Sequence, residues 1–132
     1  MPVLADTSAL YALLDADDAQ HRPASSWFED WVERGSDVLL THNYVVLETV
    51  ALVQRRLGQT WTRALLGELL PTLQVLFVDE QLHRQAESAY LARPAGPSLV
   101  DCVSFQVMRT RGLREAFAFD GQFSEQGLET VP

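Results

Sequence analysis

The chain contains no lysine; all ten of its basic residues are arginine. Against eighteen acids this leaves a formal charge of −8, the opposite of the basic patch with which proteins usually hold nucleic-acid phosphates. Either the ligand is not a nucleic acid, or the negative charge is gathered where metal ions neutralise it. Two divalent cations would halve it. The single cysteine, Cys102, excludes an intrachain disulfide. Set in an apolar run, it reads as a small core residue in a reducing compartment, and a cytoplasmic location is expected. No stretch approaches the roughly 20 apolar residues of a membrane span, so no membrane partner is expected. Met1-Pro2-Val3-Leu4-Ala5-Asp6 lacks the basic-then-apolar pattern of a secretory signal. Proline and glycine cluster only at Pro94-Ala95-Gly96-Pro97, which reads as a loop. There is no linker, repeat or low-complexity tract, and 132 residues suit one domain, 1–132.

What is present alternates. Val3–Ala5, Val38–Thr41, Val75–Val78, Ala116–Phe119 and Leu128–Val131 read as short strands. Between them, helices are expected over about Ser8–Leu14, Ala24–Arg34, Asn43–Leu57, Thr60–Leu70, Glu80–Ala92 and Ser98–Thr110, with Gly58, Pro71 and Gly112 as stop signals. Such alternation predicts an α/β domain with a mainly parallel sheet covered on both faces. Ligands bind such sheets beyond the carboxyl ends of the strands. Asp6, Thr41-His42, Asp79 and Asp120 occupy those places.

Most of the eighteen acids sit among polar neighbours, but four stand out. Glu48 has Tyr44, Val45, Ala51 and Leu52 at helical spacings of three and four. A helix apolar on nearly every side is buried, so Glu48 is expected to leave water and to need a cation, an arginine or a proton. Asp101 follows Ser98 by three residues, the spacing of a capping box, and that local role alone explains it. Asp6 follows an apolar strand and precedes Thr7-Ser8, so a helix N-cap is its local explanation. Asp120 precedes Gly121, where an Asx turn would account for it. Asp79 reads as the N-cap of the helix that begins at Glu80.

The set is harder to dismiss than its members. If the four acids converge, each pair about 5 Å apart repels by roughly 3 kcal/mol at an effective dielectric near 20. A domain with about 5–15 kcal/mol of stability tolerates this only with cations among the acids or protons on them. Oxygen ligands without Cys or His select hard ions such as Mg²⁺, Mn²⁺ or Ca²⁺.

Asp6-Thr7-Ser8 after the first strand, Glu48 in mid-helix, Asp101 within Ser98-Leu99-Val100-Asp101-Cys102, and Asp120 within Phe119-Asp120-Gly121-Gln122-Phe123 resemble, in order and spacing, the PIN-domain ribonucleases. The likeness is greatest to VapC-like toxins of toxin–antitoxin systems and spans essentially the whole chain. The resemblance implies a doubly wound parallel sheet of order 3-2-1-4-5, which leaves Asp79 on an edge. It also implies Mg²⁺- or Mn²⁺-dependent cleavage of RNA, a homodimer, and inhibition by a small antitoxin protein. Asp6, Glu48 and Asp101 would hold a first ion, Asp120 would complete its shell or help to hold a second, and Thr7 or Ser8 would orient a carboxylate or touch a phosphate. The chain departs from the family at Ala118, where relatives often carry Ser or Thr.

Three other readings compete. A catalytically weak module of the same fold could bind RNA or protein, and Ala118 with the acidic charge favours it slightly. A receiver domain would want paired acids near the first strand and a late lysine, and this chain has no lysine. An aspartyl phosphatase usually carries a second Asp at the position of Ser8. Arg55, Arg56, Arg109, Arg111 and Arg114 lie near helix C-termini, where they complement the dipole. His21, His42 and His83 show no ligand spacing; a general-base role for His42, just after the second strand, is a minor reading.

Overall fold

The computed structural model describes residues 1–35 and 37–132. Its sheet has five parallel strands in the order β3-β2-β1-β4-β5. These are β1 (Val3–Ala5), β2 (Leu39–His42), β3 (Gln74–Leu76), β4 (Glu115–Phe117) and β5 (Glu129–Val131). The helices are α1 (Thr7–Leu14), α2 (His21–Arg34), α3 (Asn43–Leu57), α4 (Gln59–Ala64), α5 (Glu80–Leu91), α6 (Leu99–Arg111) and α7 (Gln122–Glu125). The order and class agree with the sequence reading.

The strands alternate faces residue by residue, and each face has its own core. Val3, Ala5, Leu39 and Phe117 pack with Ala9 and Leu10 of α1, Ala24 and Trp31 of α2 and Val45 of α3. Leu4, Leu40 and Ala116 pack on the other face with Ala86 of α5, Val103, Phe105 and Met108 of α6, and Phe123. Register follows from this alternation: Val3 lies opposite Leu39, and Leu4 lies opposite both Leu40 and Ala116. A slip of one residue would exchange the two cores.

Several element ends differ from expectation; α2, for one, starts at His21, three residues before the expected Ala24. The helix expected over Thr60–Leu70 is α-helical only to Ala64; it widens into a π-turn at Leu65–Leu69 and closes as a 3₁₀ turn at Leu70–Thr72. Pro71 has no N–H to give the Gly67 carbonyl and its ring crowds that oxygen, so a regular α turn cannot continue there. The edge strand β3 stops at Leu76, because the Val78 N–H donates to Asn43 Oδ1 (2.7 Å) in place of a ladder partner. Strand β4 stops at Phe117, and the following residues turn into α7, a short helix the sequence reading did not expect. Gly112 closes α6 at φ 67°, a left-handed conformation that strains any side chain with a Cβ. Among the described residues no helix is long and apolar enough to cross a membrane.

Candidate active site

Strand β1 ends at Ala5, and the next residue must both leave the sheet and start a helix. Asp6 does so: its N–H donates to the Phe117 carbonyl of β4 (3.0 Å), and its carboxylate caps α1. Oδ2 accepts from the Ser8 N–H (3.2 Å) and from the Ser8 hydroxyl (2.7 Å). That hydroxyl in turn accepts from the Phe119 N–H (3.0 Å). A three-member relay therefore runs from the end of β4 through Ser8 to Asp6, and it fixes one oxygen of the carboxylate. Thr7 points elsewhere. Its hydroxyl lies 3.1 Å from that of Thr49 on α3, which also sits 2.7 Å from the Val45 carbonyl. Thr7 and Ser8 both line the same cleft as Asp6.

Asp101 forms the capping box the spacing predicted. Its N–H donates to Ser98 Oγ (3.1 Å), and its Oδ2 accepts from the Ser98 N–H (3.2 Å). Asp120 makes the Asx turn, its Oδ1 accepting from the Gln122 N–H (3.0 Å). The local explanations are thus real, yet none uses up its carboxylate. Among the described residues, each of the four acids keeps at least one oxygen with no protein donor.

Glu48 corrects the sequence reading. The expectation was a helix buried on nearly every side, but Glu48 is exposed. Helix α3 meets the body of the protein along the stripe Val45, Thr49 and Val53, and none of the described residues covers its outer side, where Leu47 is 70% exposed. Glu48 therefore needs no cation to offset burial. Its connection to the site is geometric: it stands at the rim.

All four acids line one cleft of about 550 Å³, with Thr7, Ser8, Ala51, Leu52, Arg55 and Ser98. Asp79 does not line it; it caps α5 by accepting from the Leu82 N–H (2.8 Å), as expected of an edge position. The cleft acids feel one another. Burial pushes Asp6 up to about 6, against the pull of the Ser8 hydroxyl, and Asp101 and Glu48 push it further in the same direction. Asp101 is also raised, first by burial and then by Asp120 and Glu48, while Ser98 opposes the shift. The two most buried acids, Asp6 at 3% and Asp101 at 9% exposure, bear the cost of this crowding.

An all-oxygen donor set with free lone pairs fits a hard divalent ion. Among the described residues, however, no three His, Cys, Asp or Glu side chains are gathered closely enough to hold an ion unaided.

His42 lies outside this chemistry. It is fully buried, its Nδ1 accepts from the Val45 N–H (3.3 Å) and caps α3, and its Nε2 lies 2.8 Å from Ser104 Oγ. Burial lowers it to about 4, so it is a neutral structural group. Ala118 lies in the core with Phe105 and Phe123 and does not line the cleft, so the missing hydroxyl there is no gap in the cleft wall. Sequence reading missed Arg55, which it assigned to the helix dipole. The available signal was its position seven residues after Glu48, on the same helical face.

The PIN domain family matches residues 3–127. The chain is 36% identical over 131 residues to the 23S rRNA-specific endonuclease VapC20 of Mycobacterium tuberculosis, covering 98% of this chain and 97% of that one. The crystal structure of Mycobacterium tuberculosis VapC20, a Sarcin-Ricin loop cleaving toxin, matches with TM-score 0.85 and 36% identity over 98% of this chain and 99% of that chain. DNA-bound VapBC from Salmonella typhimurium shares the fold at TM-score 0.68 and 19% identity, covering 98% of this chain and 96% of that one.

Proposed function

This chain belongs to the PIN-domain family, and on that premise we propose that it is an endoribonuclease, the toxin of a toxin–antitoxin pair, hydrolysing RNA phosphodiester bonds with Mg²⁺ or Mn²⁺. The observation that carries the reading is the delivery of Asp6, Glu48, Asp101 and Asp120, from four separate elements, to one cleft where burial and the neighbouring acids raise Asp6 and Asp101. The relative named for 23S rRNA makes a ribosomal RNA loop the first substrate to try.

A bound hard ion supplies a water of lowered pKa and neutralises charge that builds on the phosphoryl oxygens. Asp6 and Asp101 would be the inner holders of such an ion, since each is anchored through one oxygen and keeps the other open. Asp120 and Glu48 complete the negative field at the rim. Ser8 holds the Asp6 carboxylate in one orientation, so little has to reorganise when the substrate arrives.

An acidic, lysine-free surface suits a small basic antitoxin. Apolar side chains standing in solvent at Leu47, Phe77 and Leu91 offer surface for that partner and for a homodimer. With RNA as substrate, the protein acts in the cytoplasm.

The test is cleavage of ribosomal RNA by wild type and Asp6→Asn in Mg²⁺, in Mn²⁺ and in EDTA. Wild type is expected to cleave with either ion and to stop in EDTA, and Asp6→Asn to be inactive under all conditions. Cleavage that survives in EDTA or in Asp6→Asn overturns the assignment. Metal-dependent cleavage excludes the weak binding-module alternative.

A further inference from the structure

We propose that Arg55 grips a phosphate flanking the scissile one, which makes the substrate a strand that runs out of the acid cluster along α3; the inference rests on the endoribonuclease reading above. Four residues of α3 line the cleft: Glu48, Ala51, Leu52 and Arg55. Their spacing of three, four and seven puts them on one face, so this wall passes from carboxylate through two apolar side chains to a guanidinium. Seven residues advance about 10 Å along a helix. A strand that leaves the acids along α3 therefore brings its next phosphates toward Arg55.

The electrostatics demand such a group. The cleft is lined by four acids, and Arg55 is the one cation among its described lining residues. Metal ions neutralise the reacting phosphate, but flanking phosphates meet only carboxylate repulsion unless a cation faces them. Arg55 is exposed and makes no ion pair or hydrogen bond with the described residues, so its donors are open to an anion. Its planar fork matches phosphate oxygens. Its neighbour behaves differently: Arg56 lies 5.4 Å over the Tyr11 ring. Between Glu48 and Arg55, Ala51 and Leu52 offer a small apolar step on which an unpaired sugar or base can rest.

The experiment measures steady-state RNA cleavage for wild type, Arg55→Ala, Arg55→Lys and Arg56→Ala across a range of salt concentrations, with thermal melts alongside. Arg55→Ala is expected to raise KM about tenfold with little change in kcat, the signature of a lost charged contact made equally in ground and transition states. The slope of log kcat/KM against log salt becomes shallower by about 0.7, one phosphate contact on a single strand. Arg55→Lys restores most of the slope, and Arg56→Ala leaves both KM and slope at wild-type values. Wild-type KM and slope in Arg55→Ala overturn the assignment of Arg55 alone, as do equal shifts in Arg55→Ala and Arg56→Ala. A wild type that neither binds nor cleaves RNA overturns both this inference and the endoribonuclease reading.

Discussion

The two walls of the cleft are built on opposite principles. At the β1–β4 wall, Asp6 is buried, capped onto a helix and tied through Ser8 to the backbone of residue 119. At the α3 wall, Glu48 and Arg55 stand in solvent without hydrogen-bond partners among the described residues, beside exposed Leu47. One wall spends stability to hold a charge in a fixed place. The other spends almost none and leaves its side chains free to meet what arrives. Both contribute acids to the same cleft, so the same chemical change, carboxylate to amide, should act differently on the two sides.

The largest contrast is Asp6→Asn. It is expected to abolish cleavage and, without metal at neutral pH, to stabilise the fold by as much as about 3 kcal/mol, the cost of keeping a group raised from 3.8 to about 6 ionised. Urea unfolding in EDTA checks this, and a destabilised Asp6→Asn would show that the buried wall carries no such strain.

A pH series sharpens the same point. In the fold Asp6 holds a proton that the unfolded chain has released between pH 3.8 and about 6, so its penalty is absent below that window and complete above it. His42, lowered from 6.5 to about 4, refuses a proton that the unfolded chain accepts. Its contribution is complete above pH 6.5 and is lost as the pH falls to about 4, a change of about 3 kcal/mol. The two slopes oppose each other across nearly one window and largely cancel in wild type. Removing the acid in Asp6→Asn exposes the histidine slope, and unfolding free energy should then rise by about 3 kcal/mol between pH 4 and 6.5. Parallel curves for the two proteins would refute the opposition.

Breaking the relay gives a smaller effect. Ser8→Ala strands the Phe119 N–H and frees the Asp6 carboxylate to turn, so a loss of about 1–3 kcal/mol in stability is expected. Cleavage should fall about 10- to 100-fold, the usual effect of removing a group that orients a ligand. The smallest effect belongs to the open wall. Glu48→Gln should reduce cleavage yet change the unfolding free energy by no more than about 0.5 kcal/mol. A large stability change there would mean that the two walls are alike.

This contrast also explains what the sequence could tell. The order of elements was readable, because strand and helix patterns are local, and the strand-end places of Asp6 and Asp120 pointed to the cleft they line. Capping by Asp79 and the Ser98–Asp101 box were readable for the same reason. The exposure of Glu48 was not. Tyr44, Val45, Ala51 and Leu52 look alike in composition whether the fold covers that side of α3 or leaves it to solvent, and here Val45 is covered while Ala51 and Leu47 are not. The place of Arg55 in the cleft lining was not readable, because its position in the last turn of α3 has a sufficient local explanation in the dipole. The Ser8 relay was beyond reach from sequence, since its donor lies 111 residues away.

That separation sets a timetable for synthesis. Translation proceeds from the N-terminus, so Asp6, Glu48 and Asp101 all leave the ribosome before the amide that locks Ser8 and before Asp120 itself. A chain halted short of residue 119 also lacks the peptide group that ties the first helix to the end of β4. The first helix and the end of β4 are therefore locked together only once residue 119 has been made.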